Sequence, residues 1–192
     1  MQNIIYKEDN GIDFGKWSDS TSKLMYFDSV KDILSKIDTK GKIADYGGAN
    51  GILKQFIPNI ITIDIDASKN PDIVDNILTH KGNYDLIIIR FVLHYLNDYE
   101  VLELFENIEE YHKGKILVIQ FTNEDLKSKY FNSKNEFKYF RTKKQLEKLL
   151  PKFKNIYSIN YNCTKEFYKN RLNIENAKKH KEQINAYLLC TQ

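Results

Sequence analysis

Residues 42–64 read Lys42-Ile43-Ala44-Asp45-Tyr46-Gly47-Gly48-Ala49-Asn50-Gly51, then eight residues, then Ile60-Ile61-Thr62-Ile63-Asp64. An apolar run enters a glycine-rich turn, a short helix follows, and a second apolar run finishes on a carboxylate. Strand, tight loop, helix and strand in this order make a parallel β-α-β unit. The glycines let main chain approach a ligand closely, and an acid ending the second strand is placed to receive ribose hydroxyls. The segment therefore sets the fold class as α/β and predicts a nucleoside pocket at its loop.

The pattern continues on both sides. Residues 18–37 predict a helix, with Ser18, Asp19 or Ser20 at its start and Leu24, Phe27, Val30, Ile33, Leu34 and Ile37 at helical spacing. A short helix over 52–57 stops at Pro58, and Asn70-Pro71 precedes a short strand at 73–74. Asp85-Leu86-Ile87-Ile88-Ile89 is a continuous apolar run of the kind a parallel strand covered on both faces requires. Asn97 or Asp98 caps a helix to residue 111, with Val101, Leu102, Phe105 and Ile108 on its inner face, and a strand follows at 115–121. Thr142 opens a helix that Pro151 stops, and two late strands lie near 155–162 and 184–191. Ligands of such sheets bind beyond the carboxyl ends of the strands, where strand order reverses. Residues 47–51, 64, 75–77 and 90–95 all fall at those ends, so they form one site.

A chain of 192 residues fits one domain and buries roughly 70% of its unfolded surface. Along it run an N-terminal helical cap (1–40), a core (41–122) and a basic C-terminal part (123–192). The first residues lack the basic head and apolar core of a secretory signal. The most apolar window, 86–96, is interrupted by Arg90 and His94 and is too short to span a bilayer. Cys163 and Cys190 stand far apart with no metal-type spacing, and read as buried free thiols in a reducing compartment. A cytoplasmic chain with no membrane partner is the expectation. The net charge of +3 hides an asymmetry: residues 1–126 hold 13 Lys and Arg against 21 Asp and Glu, and residues 127–192 hold 16 against 5. The basic part is also rich in aromatics. Either it faces something anionic, or its lysines cover solvated faces above an aromatic core.

The spacing Gly47-x-Ala49-x-x-Ile52 fails the three-glycine pattern of dinucleotide-binding dehydrogenases. Asp45-x-Gly47-x-Ala49-x-Gly51 instead resembles the first motif of class I S-adenosylmethionine-dependent methyltransferases, Asp/Glu-x-Gly-x-Gly-x-Gly, with Ala49 at the middle glycine. The resemblance covers residues 42–122. It implies a doubly wound, seven-stranded, mostly parallel sheet with helices on both faces and an antiparallel last strand. It implies S-adenosyl-L-methionine as cofactor and S-adenosyl-L-homocysteine as product, with no metal. On this resemblance Asp45, Gly47, Gly48, Ala49 and Gly51 form the cofactor loop, and Asp64, with Ile65 beside it, receives the ribose. Asn76 meets the adenine amino group, with Asp75 as the second choice, and Ile77 packs on the ring. Residues 84–96 are similar to the fourth strand and following loop of the branch holding ubiquinone-type and many small-molecule methyltransferases. That similarity carries Arg90, Phe91 and His94 into the pocket at the methionine end. His94 is the preferred general base, with Tyr95 as the alternative. Phe14, Trp17 and Tyr26 precede the first strand, where related enzymes place a lid; Tyr26 is assigned to the methionine moiety and Trp17 to the acceptor.

The activity implied is direct in-line transfer of a methyl group to an O or N acceptor. No Asn/Asp-Pro-Pro-Tyr/Phe run and no Pro-Cys follows the fourth strand, which argues against base-amine and cytosine-C5 chemistry on DNA. Two acceptor classes stay open. For a small molecule, including an anionic one, Tyr95, Tyr139, Arg141, Tyr168, Arg171 and His180 shape the pocket. RNA is the alternative, since Lys and Arg contact phosphates and aromatic faces stack bases. A cofactor-binding module without catalysis is the third reading.

Overall fold

The carboxyl ends of β1 (Ile43–Tyr46) and β4 (Leu86–Arg90) lie side by side at the middle of a seven-stranded sheet of order β3-β2-β1-β4-β5-β7-β6. The computed structural model describes residues 27–123, 139, 141–163 and 180–190, the side chains of 27–29, 123, 160–163 and 180–183 excepted. The remaining strands are β2 (Ile61–Asp64), β3 (Ile73–Val74), β5 (Lys115–Asn123), β6 (Lys154–Cys163) and β7 (His180–Cys190). Strands β1 to β5 pair in parallel, and β7 runs antiparallel to both β5 and β6. This is the sheet expected from the resemblance. The chain winds outward from β1 to β3, then crosses back to β4, so strand order reverses between β1 and β4. Sheets of this kind bind their ligands beyond that rim.

Burial explains the central runs. All four residues of β1 and the first four of β4 are buried, and alternate side chains enter opposite cores. Ile43, Leu86, Ile88, Leu117 and Ile119 pack under α1 (Phe27–Leu34) and the 3-10 turn Ile52–Gln55. Ala44, Tyr46, Ile87, Ile89, Ile116 and Val118 pack under α2 (Asp98–Tyr111) and α3 (Lys143–Leu149). Both later helices start on a capping box: Asn97 with Glu100, and Thr142 with Gln145. Each box satisfies two otherwise orphaned amides, a contribution of about 1 kcal/mol per cap.

Some expectations change. Within the predicted helix at 18–37 the structure describes α1 over Phe27–Leu34, and residues 18–26 lie outside the described part. The helix predicted at 52–57 is a single 3-10 turn. Gly51 enters it in a left-handed conformation with no side-chain cap, and Pro58 follows too soon for further turns. On α2 the inward stripe takes Leu104, fully buried, whereas Leu102 is 45% exposed. Cys190, expected to be buried, is exposed because β7 ends there at the sheet's rim. Cys163 has no described side chain. Among the described residues no helix is long and apolar enough to cross a membrane, and no group of three or more His, Cys, Asp or Glu is placed to hold a metal.

Candidate functional site

The loop after β1 is bonded to β2. Gly47 N–H and Gly48 N–H both donate to Ile63 O, at 2.8 and 3.3 Å, so the chain turns tightly over the neighbouring strand. Gly48 is packed directly on that floor. A Cβ there would lie 2.6 Å from Asp45 Oδ2 and 2.7 Å from Thr62 Cγ2, closer than real Cβ atoms come. Ala49 has φ 46°, in the left-handed region that its methyl group disfavours. The substitution at the middle glycine is therefore accommodated by strain, not by a changed path.

Asp64 fixes this loop. Its Oδ2 accepts from Ala49 N–H at 2.9 Å and its Oδ1 from Asp66 N–H at 2.9 Å. The carboxylate at the end of β2 is thus held against the glycine turn. Ile65 beside it is 42% exposed. After β3, Asp75 N–H donates to Asp64 O at 3.1 Å, bringing residues 75–77 to the same rim. Asp75 accepts from Asn76 N–H and bonds His80 Nδ1 at 2.8 Å, and His80 Nε2 reaches Tyr84 Oη at 2.9 Å. Asn76 Oδ1 accepts from Leu78 N–H, and Ile77 is buried beneath.

A second polar group lies under the loop. Asp45 and Thr62 are direct neighbours across β1 and β2. Asp45 is buried, and neither of its carboxylate oxygens has a hydrogen-bond partner; Thr62 Oγ1 and Arg90 Nε are sealed and unpartnered likewise. Burial pushes Asp45 up to about 7, against the pull of the Arg90 charge and reinforced by Asp64. Burial also lowers Arg90, which Asp45 partly counters.

The exit from β4 is strained and clamped. Phe91 has φ 56°, uncommon for a bulky residue and characteristic of functional turns, and its N–H donates to Ile119 O at 2.8 Å. His94 is buried in the 3-10 turn Leu93–Tyr95. Gln120 Oε1 accepts from Leu93 N–H at 3.2 Å, which orients its amide nitrogen toward His94 Nδ1 at 2.9 Å. His94 Nδ1 is then an acceptor and the ring proton sits on Nε2. Burial, aided by the Arg141 charge, holds His94 well below the ordinary histidine range. The ring stacks on Phe121 at 4.9 Å and leans on Tyr95 at 4.1 Å.

Arg141 corrects an expectation. All five of its N–H donors are used: Nε and Nη2 to Asp98 Oδ1, Nη1 to Leu93 O and Tyr139 O, Nη2 also to Leu96 O. No donor remains for an acceptor molecule, so Arg141 holds the loop after β4 and is not a pocket wall. Tyr139 joins the same clamp through its main chain, its N–H donating to His94 O at 3.0 Å.

The structure thus brings Asp45, Gly47, Gly48, Ala49, Gly51, Asp64, Asp75, Asn76, Ile77, Arg90, Phe91, His94 and Tyr95 to one rim. Trp17, Tyr26, Tyr168 and Arg171 lie outside the described residues, and His180 opens β7 without a described side chain. Gln120 was missed. Its signal was a lone amide inside the apolar run of residues 116–121, buried on a central strand.

No protein-family model matches the chain, and no curated protein does. Solved structures do match. The N-methyltransferase NodS from Bradyrhizobium japonicum WM9, in complex with S-adenosyl-l-homocysteine, superposes with TM-score 0.63 at 10% identity over 96% of both chains. TehB from Haemophilus influenzae gives 0.59 at 17% identity, covering 89% of this chain and 65% of its own. A SAM-dependent methyltransferase from Methanosarcina mazei gives 0.58 at 14% identity, covering 84% of this chain and 98% of its own. The chain spans just under two thirds of TehB and nearly all of the other two. At these identities the likeness is one of architecture: the chain has the doubly wound, seven-stranded fold of class I S-adenosylmethionine-dependent methyltransferases.

Proposed function

We propose that this chain is an S-adenosylmethionine-dependent methyltransferase acting on an O or N atom of a small molecule. The observation that carries the reading is the junction of Asp64 with the Ala49 amide at 2.9 Å, which sets a carboxylate and a glycine turn on one rim. The fit to the cofactor is supported by the cradle itself. Gly48 leaves no room for a side chain above Asp45 and Thr62, and Asp45 keeps two buried oxygens without partners.

Asp64, through lone pairs its two amide bonds leave open, would hold the ribose hydroxyls. The 75–77 segment would flank the adenine, with Ile77 beneath it. Main chain of the 47–51 loop would hold the methionine end. When bound, the cofactor supplies a methyl group already activated on a cationic sulfur, so the protein's task is to position the acceptor and exclude water. The rings of Phe91, Phe121, His94 and Tyr95 form the wall suited to that exclusion. His94, neutral with its proton on Nε2, acts as a fixed polar ring and not as a charged switch. The structural neighbours include small-molecule methyltransferases such as magnesium protoporphyrin IX methyltransferase, which supports this acceptor class.

Calorimetric titration with S-adenosylhomocysteine tests the reading. The wild type binds, and Asp64→Asn weakens binding by about tenfold or more, the worth of one charge-assisted hydrogen bond. Undiminished affinity in D64N, or none in the wild type, refutes it.

A further inference from the structure

Arg90 is the one polar side chain at the end of β4, and its surroundings leave it short of a partner. Alternation along the strand puts it on the face of Leu86 and Ile88, the same face as Ile119 and Phe121 of β5. Its Nε is sealed from solvent with no hydrogen-bond partner, and no carboxylate lies within ion-pair distance among the described residues. Of the acids at this rim, Asp45 feels the Arg90 charge but makes no hydrogen bond to it, and Asp64 is held by the amides of Ala49 and Asp66. Arg90 is half-buried, with Nε sealed and no anion bonded to it among the described residues. Desolvating a cation without a bonded anion is costly, and a planar fork matches a carboxylate with two parallel N–H···O bonds.

Register indicates which side of the pocket it serves. β1 lies between β2, which carries Asp64, and β4, which carries Arg90; Arg90 itself pairs with Ile119 of β5. Arg90 therefore stands on the far side of β1 from Asp64, where its charge is felt by Asp45 of β1. There it stands 5.3 Å over the Phe91 ring, which meets Phe121 at 5.1 Å, followed by His94 and Tyr95. A cationic cofactor beside a guanidinium also leaves two like charges to be balanced by what binds next to them.

We propose that Arg90 is the acceptor anchor and that the acceptor is a small carboxylic acid whose carboxylate pairs with the guanidinium fork while its apolar part lies on the Phe91–Phe121 rings. This assignment rests on the methyltransferase reading above. It makes Arg90 the residue that selects anionic over neutral acceptors, because a neutral isostere leaves the guanidinium unpaired.

The experiment uses the whole chain saturated with S-adenosylhomocysteine, sodium benzoate as anionic probe and benzamide as its neutral counterpart, at matched ionic strength. Benzoate is expected to raise the melting temperature and benzamide to leave it unchanged. Arg90→Met is expected to weaken benzoate binding by about tenfold or more, with Arg90→Lys, which keeps the charge but not the fork, in between. Equal responses to benzoate and benzamide in the wild type overturn the proposal, and this comparison stands even if R90M does not fold. A benzoate response preserved in R90M overturns it as well. Loss of the S-adenosylhomocysteine response in R90M alone overturns it too, since the guanidinium then serves the cofactor. Absence of that response in the wild type sinks the methyltransferase reading, and this proposal with it.

Discussion

Arg141 donates Nη1–H to the main-chain carbonyl of Leu93 at 2.6 Å, across 48 positions of sequence. That bond, with those to Leu96 O and Asp98, ties the segment before α3 to the turn that carries His94. The loop after β4 is thereby a fixed wall, not a flap.

Arg141→Met should therefore be severely destabilising. It strands buried carbonyls of Leu93 and Leu96, at a cost of about 3–5 kcal/mol, or a melting temperature lower by about 10 °C. Asp98 is 68% exposed and its removal leaves the carbonyl bonds of Arg141 in place while taking away its anion, so Asp98→Ala should cost less, about 1–2 kcal/mol. Similar losses in the two variants by calorimetry would assign the clamp to the ion pair and not to the carbonyls.

Ala49→Gly should stabilise the chain. Relief of a left-handed alanine is worth about 1–2 kcal/mol, offset by about 0.5–1 kcal/mol of extra backbone freedom in the unfolded state. A rise of roughly 1–3 °C in thermal melting is expected, and Ala49→Val, whose branched side chain tolerates φ 46° less well, should fall below wild type. A drop in A49G would mean the turn is not strained.

Asp45 gives stability a particular pH slope. Its native pKa of about 7 lies above its unfolded value near 3.8, so the native state holds the proton more tightly. Its contribution is complete below the unfolded value and is lost as pH rises toward and through about 7. Denaturant melts of wild type and Asp45→Asn should diverge across that window, with D45N the more stable at pH 8. Parallel curves would place the ionisation elsewhere.

His94 has the opposite slope. Its native pKa is lowered well below 6.5, so stability is present above the unfolded value and falls as pH drops beneath it. Nitrogen chemical shifts should show a neutral ring, protonated on Nε2, throughout pH 8 to 6. Titration near 6.5 would contradict the buried geometry and restore His94 as a charged switch. Gln120→Leu, which removes the bond to Nδ1, should change the tautomer populations.

Much of this was readable in advance, for identifiable reasons. β1 and β4 are central strands covered on both faces, so their continuous apolar runs announce them without help from periodicity. Asp64 was legible because strand, glycine turn and acid form one local unit. Arg141 was not. Its residue type points to an anion, but its donors are consumed by carbonyls brought close only by the fold. Gln120 escaped because its partner His94 is 26 positions away, on another segment. Leu102 and Leu104 are equally apolar; only the orientation of α2 against the sheet decides that Leu104 is inside.

The placing of β7 between β5 and β6 has a consequence for biosynthesis. β6 has no strand to join until β7 has been made, and β5 keeps an open edge over nine paired positions until then. At about 5–20 residues per second of translation, that edge stays bare for several seconds after β5 emerges. A message truncated before codon 180 would leave it bare permanently, and the ribosome's product would be a substrate for chaperones and proteases.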